Sequence, residues 1–175
     1  MLSYAITDPK YFNINQIESI SKKSDMILFR DKNSKNYKLD AKEFVQKAKN
    51  YNFDKILIHQ DIKLAKELKA DGVHLTSSQF YKITEAKKLN LFVIISTHSI
   101  LEAIDAQNLG ADMMTYSPIF STPNKGKPVG LKMLKTLTNK ISIPVIALGG
   151  IISKEHIELS KKSGASGFAS IRYFI

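Results

Sequence analysis

The sequence predicts an α/β fold, a compact parallel (β/α)₈ TIM barrel that lacks the eighth, C-terminal helix. Three observations carry that expectation. Eight short apolar segments alternate with seven segments of helical periodicity, and strands separated by helices pair in parallel. Residues 141–152 (ISIPVIALGGII) run an apolar strand into Gly149-Gly150 and then a helix start. One strand later residues 164–172 (GASGFASIR) repeat the arrangement. Glycines admit backbone N–H groups close to an anion, and a helix N-terminus carries partial positive charge. A tight turn explains Gly-Gly by itself, whereas anion donors after two consecutive final strands are typical of paired phosphate loops in such barrels. Finally, polar side chains collect at the C-terminal ends of the strands, where parallel barrels place their sites.

In order, strands are expected at residues 2–7 (LSYAIT), 25–30 (DMILFR), 55–60 (KILIHQ), 72–75 (GVHL), 91–97 (LFVIIST), 112–118, 141–150 and 164–172. Helices are expected at 14–23, where Ile14, Ile17 and Ile20 share a face, and at 40–51, opened by Asp40 as N-cap. Further helices follow at 61–69, 77–90, 99–110 with Ser99 as cap, 131–140 and 153–163. Residues 120–130 form a long polar loop. The chain ends just after strand eight, so the groove that an eighth helix would cover falls to Tyr173, Phe174 and Ile175, or to a second subunit. A homodimer is the commonest arrangement of that kind. The 175 residues are read as one domain, 1–175, although such barrels usually run to ~250 residues with an ordinary minimum of ~200.

There is no cysteine, hence no disulfide framework and no thiolate metal site. No N-terminal signal pattern and no apolar run of ~18 residues is present, so a cytoplasmic protein without a membrane partner is expected. The formal charge of +10 raises nucleic acid as a partner. However, of the 26 basic residues only Arg30 and Arg172 are arginine, and the lysines are dispersed without a dense block. Bidentate nucleic-acid contacts favour arginine, so no nucleic-acid partner is expected and a small phosphorylated substrate is.

The residues at the strand ends are Asp8, Arg30, Asp31, Lys32, His59, Gln60, Thr76, Ser96, Thr97, His98, Thr122, Asn124, Lys125, Gly149, Gly150 and Arg172. Both arginines fall in this set, which suits a substrate with more than one anionic group. His74, inside GVHL, reads as a core histidine, and His156, on a helix, as a solvated one. His59 and His98 stand where a proton acceptor would be useful, since an unperturbed imidazole titrates near ~6.5. Each also has a plainer reading as a hydrogen-bonding loop residue.

The motifs AITD, LFRDK, ADGVHL, STHS, SPIFSTPNK, IPVIALGGI and GASGFASI, in that order, resemble the thiamine phosphate synthase/TenI family over residues 4–171. The resemblance implies a barrel acting on thiamine precursors, with two activities in view. Synthases join a pyrimidine diphosphate to a thiazole phosphate, with Mg²⁺ assisting departure of pyrophosphate. TenI-type members tautomerise a thiazole carboxylate phosphate to its aromatic form, a proton transfer.

Carried over residue by residue, the resemblance implies that Arg30 and Lys32 grip a diphosphate and that Ser96 gives it a hydroxyl contact. Thr122, Asn124 and Lys125 are its loop contacts. Gly149 and Gly150, with the backbone of Ile171 and Arg172, cradle the thiazole phosphate. The synthase's two metal-holding aspartates are replaced: the first site reads His59-Gln60 and the second Thr76-Ser77-Ser78-Gln79. No metal ligand and no cofactor are therefore expected, with Mg²⁺ only if synthase activity is kept. The resemblance implies TenI-like tautomerisation first, a synthase with an altered Mg site as the alternative, and a non-catalytic ligand-binding barrel after that. The tautomerase histidine position is occupied by Pro118 in Ser117-Pro118-Ile119-Phe120, which leaves His98 or His59 as the catalytic base.

Overall fold

A computed structural model of the protein describes residues 1–123 and 125–175. Eight parallel strands close into a barrel in sequence order: β1 Leu2–Ile6, β2 Met26–Phe29, β3 Lys55–His59, β4 Gly72–Leu75, β5 Phe92–Thr97, β6 Met113–Tyr116, β7 Val145–Leu148 and β8 Gly167–Ser170. Seven α-helices among the described residues cover its outside: α1 Ile17–Ser21, α2 Tyr37–Ala48, α3 Ile62–Glu67, α4 Ile83–Lys88, α5 Ile100–Asn108, α6 Gly130–Thr138 and α7 Lys154–Lys162. The expected fold class is the observed one.

Strand alternation splits the core in two. Inward residues Tyr4, Ile6, Met26, Leu28, Leu57, Ile94, Ile146 and Ala169 fill the barrel. Outward residues such as Ala5, Ile27, Phe29, Ile58, Val73, Ile95 and Met114 pack under the helices. Toward the C-terminal ends the inward positions turn polar, as His59, His74 and Ser96 follow Leu57, Gly72 and Ile94 on their strands.

Several element bounds differ from the expectation, each for a local reason. The first helix begins as a 3₁₀ turn, Ile14–Gln16, because Asn13 and Gln16 form a capping box, and continues as α1. Helix α2 starts at Tyr37 rather than at Asp40. Tyr37 packs on Phe29 with centroids 5.1 Å apart and donates its hydroxyl to the His59 carbonyl at 3.3 Å. Asp40 then lies in the first turn, where its charge favours the helix N-terminus. The expected helix 77–90 splits into a 3₁₀ segment, Ser77–Lys82, and α4. The Gln79 side chain bonds back to the Thr76 amide at 3.1 Å, and its own φ, ψ of −118°, 23° break the helix. Strand β7 begins at Val145, since the amides of Ser142 and Ile143 are taken by Gln107 Oε1 and Pro144 has no N–H. Asp61 and Ser99 cap α3 and α5 as expected.

Beyond β8 the chain folds back over the groove. Phe174 is 1% exposed and stacks on Phe168 of β8 with centroids 5.6 Å apart, while Tyr173 meets Phe168 edge-on at 5.3 Å. Burying a phenylalanine this fully makes its removal costly. Phe174→Ala should lower unfolding free energy in urea by about 3 kcal/mol, whereas Ile175→Ala, at an exposed position, should stay within about 0.5 kcal/mol of wild type. Equal effects of the two would contradict this packing account.

Candidate active site

The polar strand ends enclose a cavity of about 360 Å³. Its walls include Arg30, Lys32, His59, Ser96, His98, Thr122, Lys125, Gly149, Gly150, Ile171 and Arg172. The residues that the family resemblance assigns thus meet at one cavity together with His59 and His98, and Asn124 lies outside the described residues. Of the other strand-end residues Thr76 joins them, whereas Asp31 and Gln60 face a neighbouring cleft, Thr97 is buried and Asp8 stands behind Arg30. The wall also includes Leu28, Ile6, Leu148, Pro118, Ile151 and Ala169, an apolar floor that can take a ring. Among the described residues four cationic side chains line it and no carboxylate does. Arg30 is held by Asp8 at 3.1 Å, which fixes the guanidinium where β1 and β2 end.

Gly149 and Gly150 have φ of +97° and +70°, conformations that side chains rarely adopt. A Cβ on Gly149 would lie 2.7 Å from Pro118 Cα, and one on Gly150 would lie 2.6 Å from the Ser121 carbonyl oxygen. The pair therefore also lets the β6–α6 loop lie against β7, where the amides of Ile119 and Phe120 donate to the carbonyls of Leu148 and Gly149 at 2.9 and 3.0 Å. The amides of Gly150, Ile151, Ile171 and Arg172 donate to no other described residue. Beside them α7 begins, capped by Ser153. Such a set of amides fits an anion.

The histidines take four different situations. His98 Nδ1 lies 2.9 Å from the Ser117 carbonyl oxygen, which can only accept, so Nδ1 carries a proton and in the neutral ring the lone pair falls on Nε2. His59 is half-buried, and burial first, then Arg30 and Lys32, lower its pKa to about 4. His74 is buried between Tyr4 and Ser96. Burial, then the nearby His59 and Arg30, lower its pKa to about 3. It was expected to be core and is, yet it also touches the cavity wall. His156 departs from expectation: its ring stacks on Phe120 with centroids 4.2 Å apart instead of facing solvent. Helix periodicity alone gave no sign of that stack, because Phe120 comes from a distant loop.

Sequence reasoning missed Tyr4 and His74 as neighbours of the site. The parity of strand residues, with Tyr4, His74 and Ser96 all inward, was the available signal. Thr122 Oγ1 donates to the Phe120 carbonyl at 3.0 Å, so its oxygen remains an acceptor toward the cavity.

The metal side can be tested directly. Asp61 accepts from the Leu64 amide at 2.9 Å as the cap of α3, Asp8 is paired with Arg30, and Gln79 Oε1 accepts from Thr76. Among the described residues no group of three His, Cys, Asp or Glu side chains could hold an ion. These residues do not fit a Mg²⁺ held through protein carboxylates.

The family pattern described as thiamine monophosphate synthase matches residues 3–174. The chain belongs to that family. A protein of Aquifex aeolicus (strain VF5), provisionally named thiamine-phosphate synthase 2, is 39% identical over 182 residues, which cover 98% of this chain and 96% of the relative. The thiamine-phosphate synthase of Clostridium novyi (strain NT) is 32% identical, covering 96% and 87%. Among solved structures, thiamine phosphate pyrophosphorylase from Pyrococcus furiosus superposes with a TM-score of 0.85 at 28% identity, covering 97% of this chain and 85% of that one. The family resemblance read from the motifs is thereby shown, as is membership among relatives named as enzymes of thiamine synthesis. No helix among the described residues is long and apolar enough to cross a membrane.

The two lowered histidine pKa values make stability depend on pH. Both groups are harder to protonate folded than unfolded, so the unfolded chain takes up the protons first as pH falls below the ordinary value of 6.5. The stability they leave intact above pH 6.5 is lost toward the folded values of about 4 and about 3. Fully buried His74 should cost about 2 kcal/mol between pH 7.5 and 5, and the less buried His59 somewhat under that. Urea unfolding at both pH values measures it, with His74→Gln expected to reduce the dependence to the His59 share. An unfolding free energy that does not change over this range would contradict the assignment.

Proposed function

We propose that this protein binds a thiazole carboxylate phosphate and tautomerises it to the aromatic form, with His98 as the general base. The phosphate sits at the Gly149-Gly150 turn against the amides of Gly150, Ile171 and Arg172, with the Arg172 guanidinium adding a charge-assisted contact. The thiazole ring lies over the apolar floor, and the carboxylate takes Arg30 or Lys32. His98 Nε2 accepts a proton from the ring and returns one to complete the tautomerisation.

One observation carries the choice of reaction. The Ser117 carbonyl accepts the hydrogen bond of His98 Nδ1–H and leaves Nε2 free to face the ligand, on a cavity wall that among the described residues has four cations and no carboxylate. A ring held in one tautomer by a backbone acceptor suits proton transfer. His59 is the weaker candidate, because an imidazole with a pKa of about 4 is a poor proton acceptor at neutral pH.

A second reading is favoured by a separate observation. The relatives are named thiamine-phosphate synthases, and Arg30, Lys32 and Ser96 share one cavity, as a diphosphate clamp requires. On that reading the clamp replaces part of the charge compensation that carboxylate-held Mg²⁺ would give. Binding of thiazole phosphate without turnover of either kind would leave a ligand-binding barrel.

The rate of thiazole carboxylate phosphate tautomerisation by purified protein tests the proposal. His98→Ala should lower kcat by about 10²–10⁴-fold, the range for loss of a general base, and His59→Ala by less than about tenfold. An unaffected His98→Ala rate would remove His98 from the role. Absence of wild-type turnover, together with thiamine phosphate formation from pyrimidine diphosphate and thiazole phosphate, would favour the second reading.

A further inference from the structure

We propose that Tyr4 and His74 are positioning residues that hold the Ser96 hydroxyl as a hydrogen-bond donor, so that this corner of the cavity favours an acceptor oxygen of an anionic ligand group over a group that only donates. The inference rests on reading the cavity as an anion site and assigns a direction to three buried hydrogen-bonding groups. Tyr4 Oη lies 3.0 Å from His74 Nδ1, and His74 Nε2 lies 3.1 Å from Ser96 Oγ. Tyr4 comes from β1, His74 from β4 and Ser96 from β5, and Tyr4 and His74 are 0% and 3% exposed. The chain thus runs from the barrel interior to the cavity wall, which both His74 and Ser96 line.

The direction follows from counting protons. Burial keeps His74 neutral, with one ring proton to place. Burial also holds the Tyr4 phenol in its protonated form. Its hydroxyl has one proton to donate and, among the described residues, one partner, His74 Nδ1. If Nδ1 carried the ring proton it would donate to the phenol oxygen, and the phenol's own proton would be buried without an acceptor, at the full desolvation cost of an unmet donor. The phenol therefore donates to Nδ1, the ring proton sits on Nε2, and Nε2–H donates to Ser96 Oγ. Ser96 has then received its bond from the protein side, and its single hydroxyl proton is left for the cavity. Arg30 and Lys32 on the same wall supply charge, whereas this serine supplies a directional contact to an acceptor oxygen.

The test pairs a structural readout with a binding readout on the whole protein. Nitrogen-15 NMR of histidine-labelled protein reports which ring nitrogen of His74 is protonated. The expected result is Nε2–H in the wild type, and Nδ1–H would overturn the proposal whatever the variants do. Calorimetric titration with inorganic pyrophosphate then compares wild type, Tyr4→Phe, Ser96→Ala and the double variant. A hydrogen bond to a charged group predicts about tenfold weaker binding for Ser96→Ala. Tyr4→Phe, which contacts no ligand, should weaken binding in the same direction, and the double variant should bind no more weakly than Ser96→Ala. A structural role for Tyr4 would instead give additive losses, which would overturn the relay. Unchanged binding by Tyr4→Phe would do so too while leaving the anion site intact. No pyrophosphate binding by the wild type would count against the anion reading of the cavity, and would take the Ser96 assignment with it.

Discussion

Closure of the barrel is the constraint on which the site depends. Strand β1 pairs with β2 on one side and β8 on the other, with Leu2 to Ala5 set against Gly167 to Ser170. That register leaves no room for a side chain at Gly167, where a Cβ would fall 2.8 Å from the Leu2 carbonyl oxygen and 2.6 Å from Ile146 Cδ1. Once the sheet closes, inward side chains from different strands have only each other for neighbours. Residues as distant in sequence as Tyr4, His74 and Ser96 are then obliged to meet. The apolar inward positions form the plug, and the polar ones above it form the cavity, so one alternation of side chains produces both core and site.

Charge is distributed on the same principle. The cations Arg30, Lys32, Lys125 and Arg172 stand at the rim of the cavity, where water and an anionic ligand can reach them. Deeper in, His59 and His74 stay neutral, since burial and the neighbouring cations oppose a further positive charge. The result is a site with fixed positive charge outside and uncharged donors inside, a graded environment for a molecule that is anionic at its ends and apolar between them. His98 sits just beyond β5 in an exposed position, with Nδ1 committed to the Ser117 carbonyl.

The fold was legible because barrel strands and their helices are written as local patterns, and the end of each strand marks where function collects. Gly149-Gly150 read correctly as a special turn. Its second purpose, admitting the loop at Pro118 to Ser121, involves contacts that no local pattern encodes. The same limit explains the errors at helix starts. Asp40 looked like a cap because aspartate often is one, but the helix starts earlier, at Tyr37, which packs on Phe29 of β2. His156 looked solvated because its partner, Phe120, lies far away in sequence. The identity of His74 as both core and cavity wall was hidden for a related reason: it depends on which side chains closure brings across the barrel, and not on its own strand.

The central claim is that the thiazole phosphate lies between the amides following β7 and β8 with its ring under His98. A crystal structure of the protein with thiazole carboxylate phosphate tests this most directly. The account predicts phosphate oxygens within hydrogen-bond distance of the Gly150, Ile171 and Arg172 amides, and His98 Nε2 facing the ring. A phosphate bound instead at Arg30 and Lys32, with the glycine amides hydrated and His98 turned away, would contradict it.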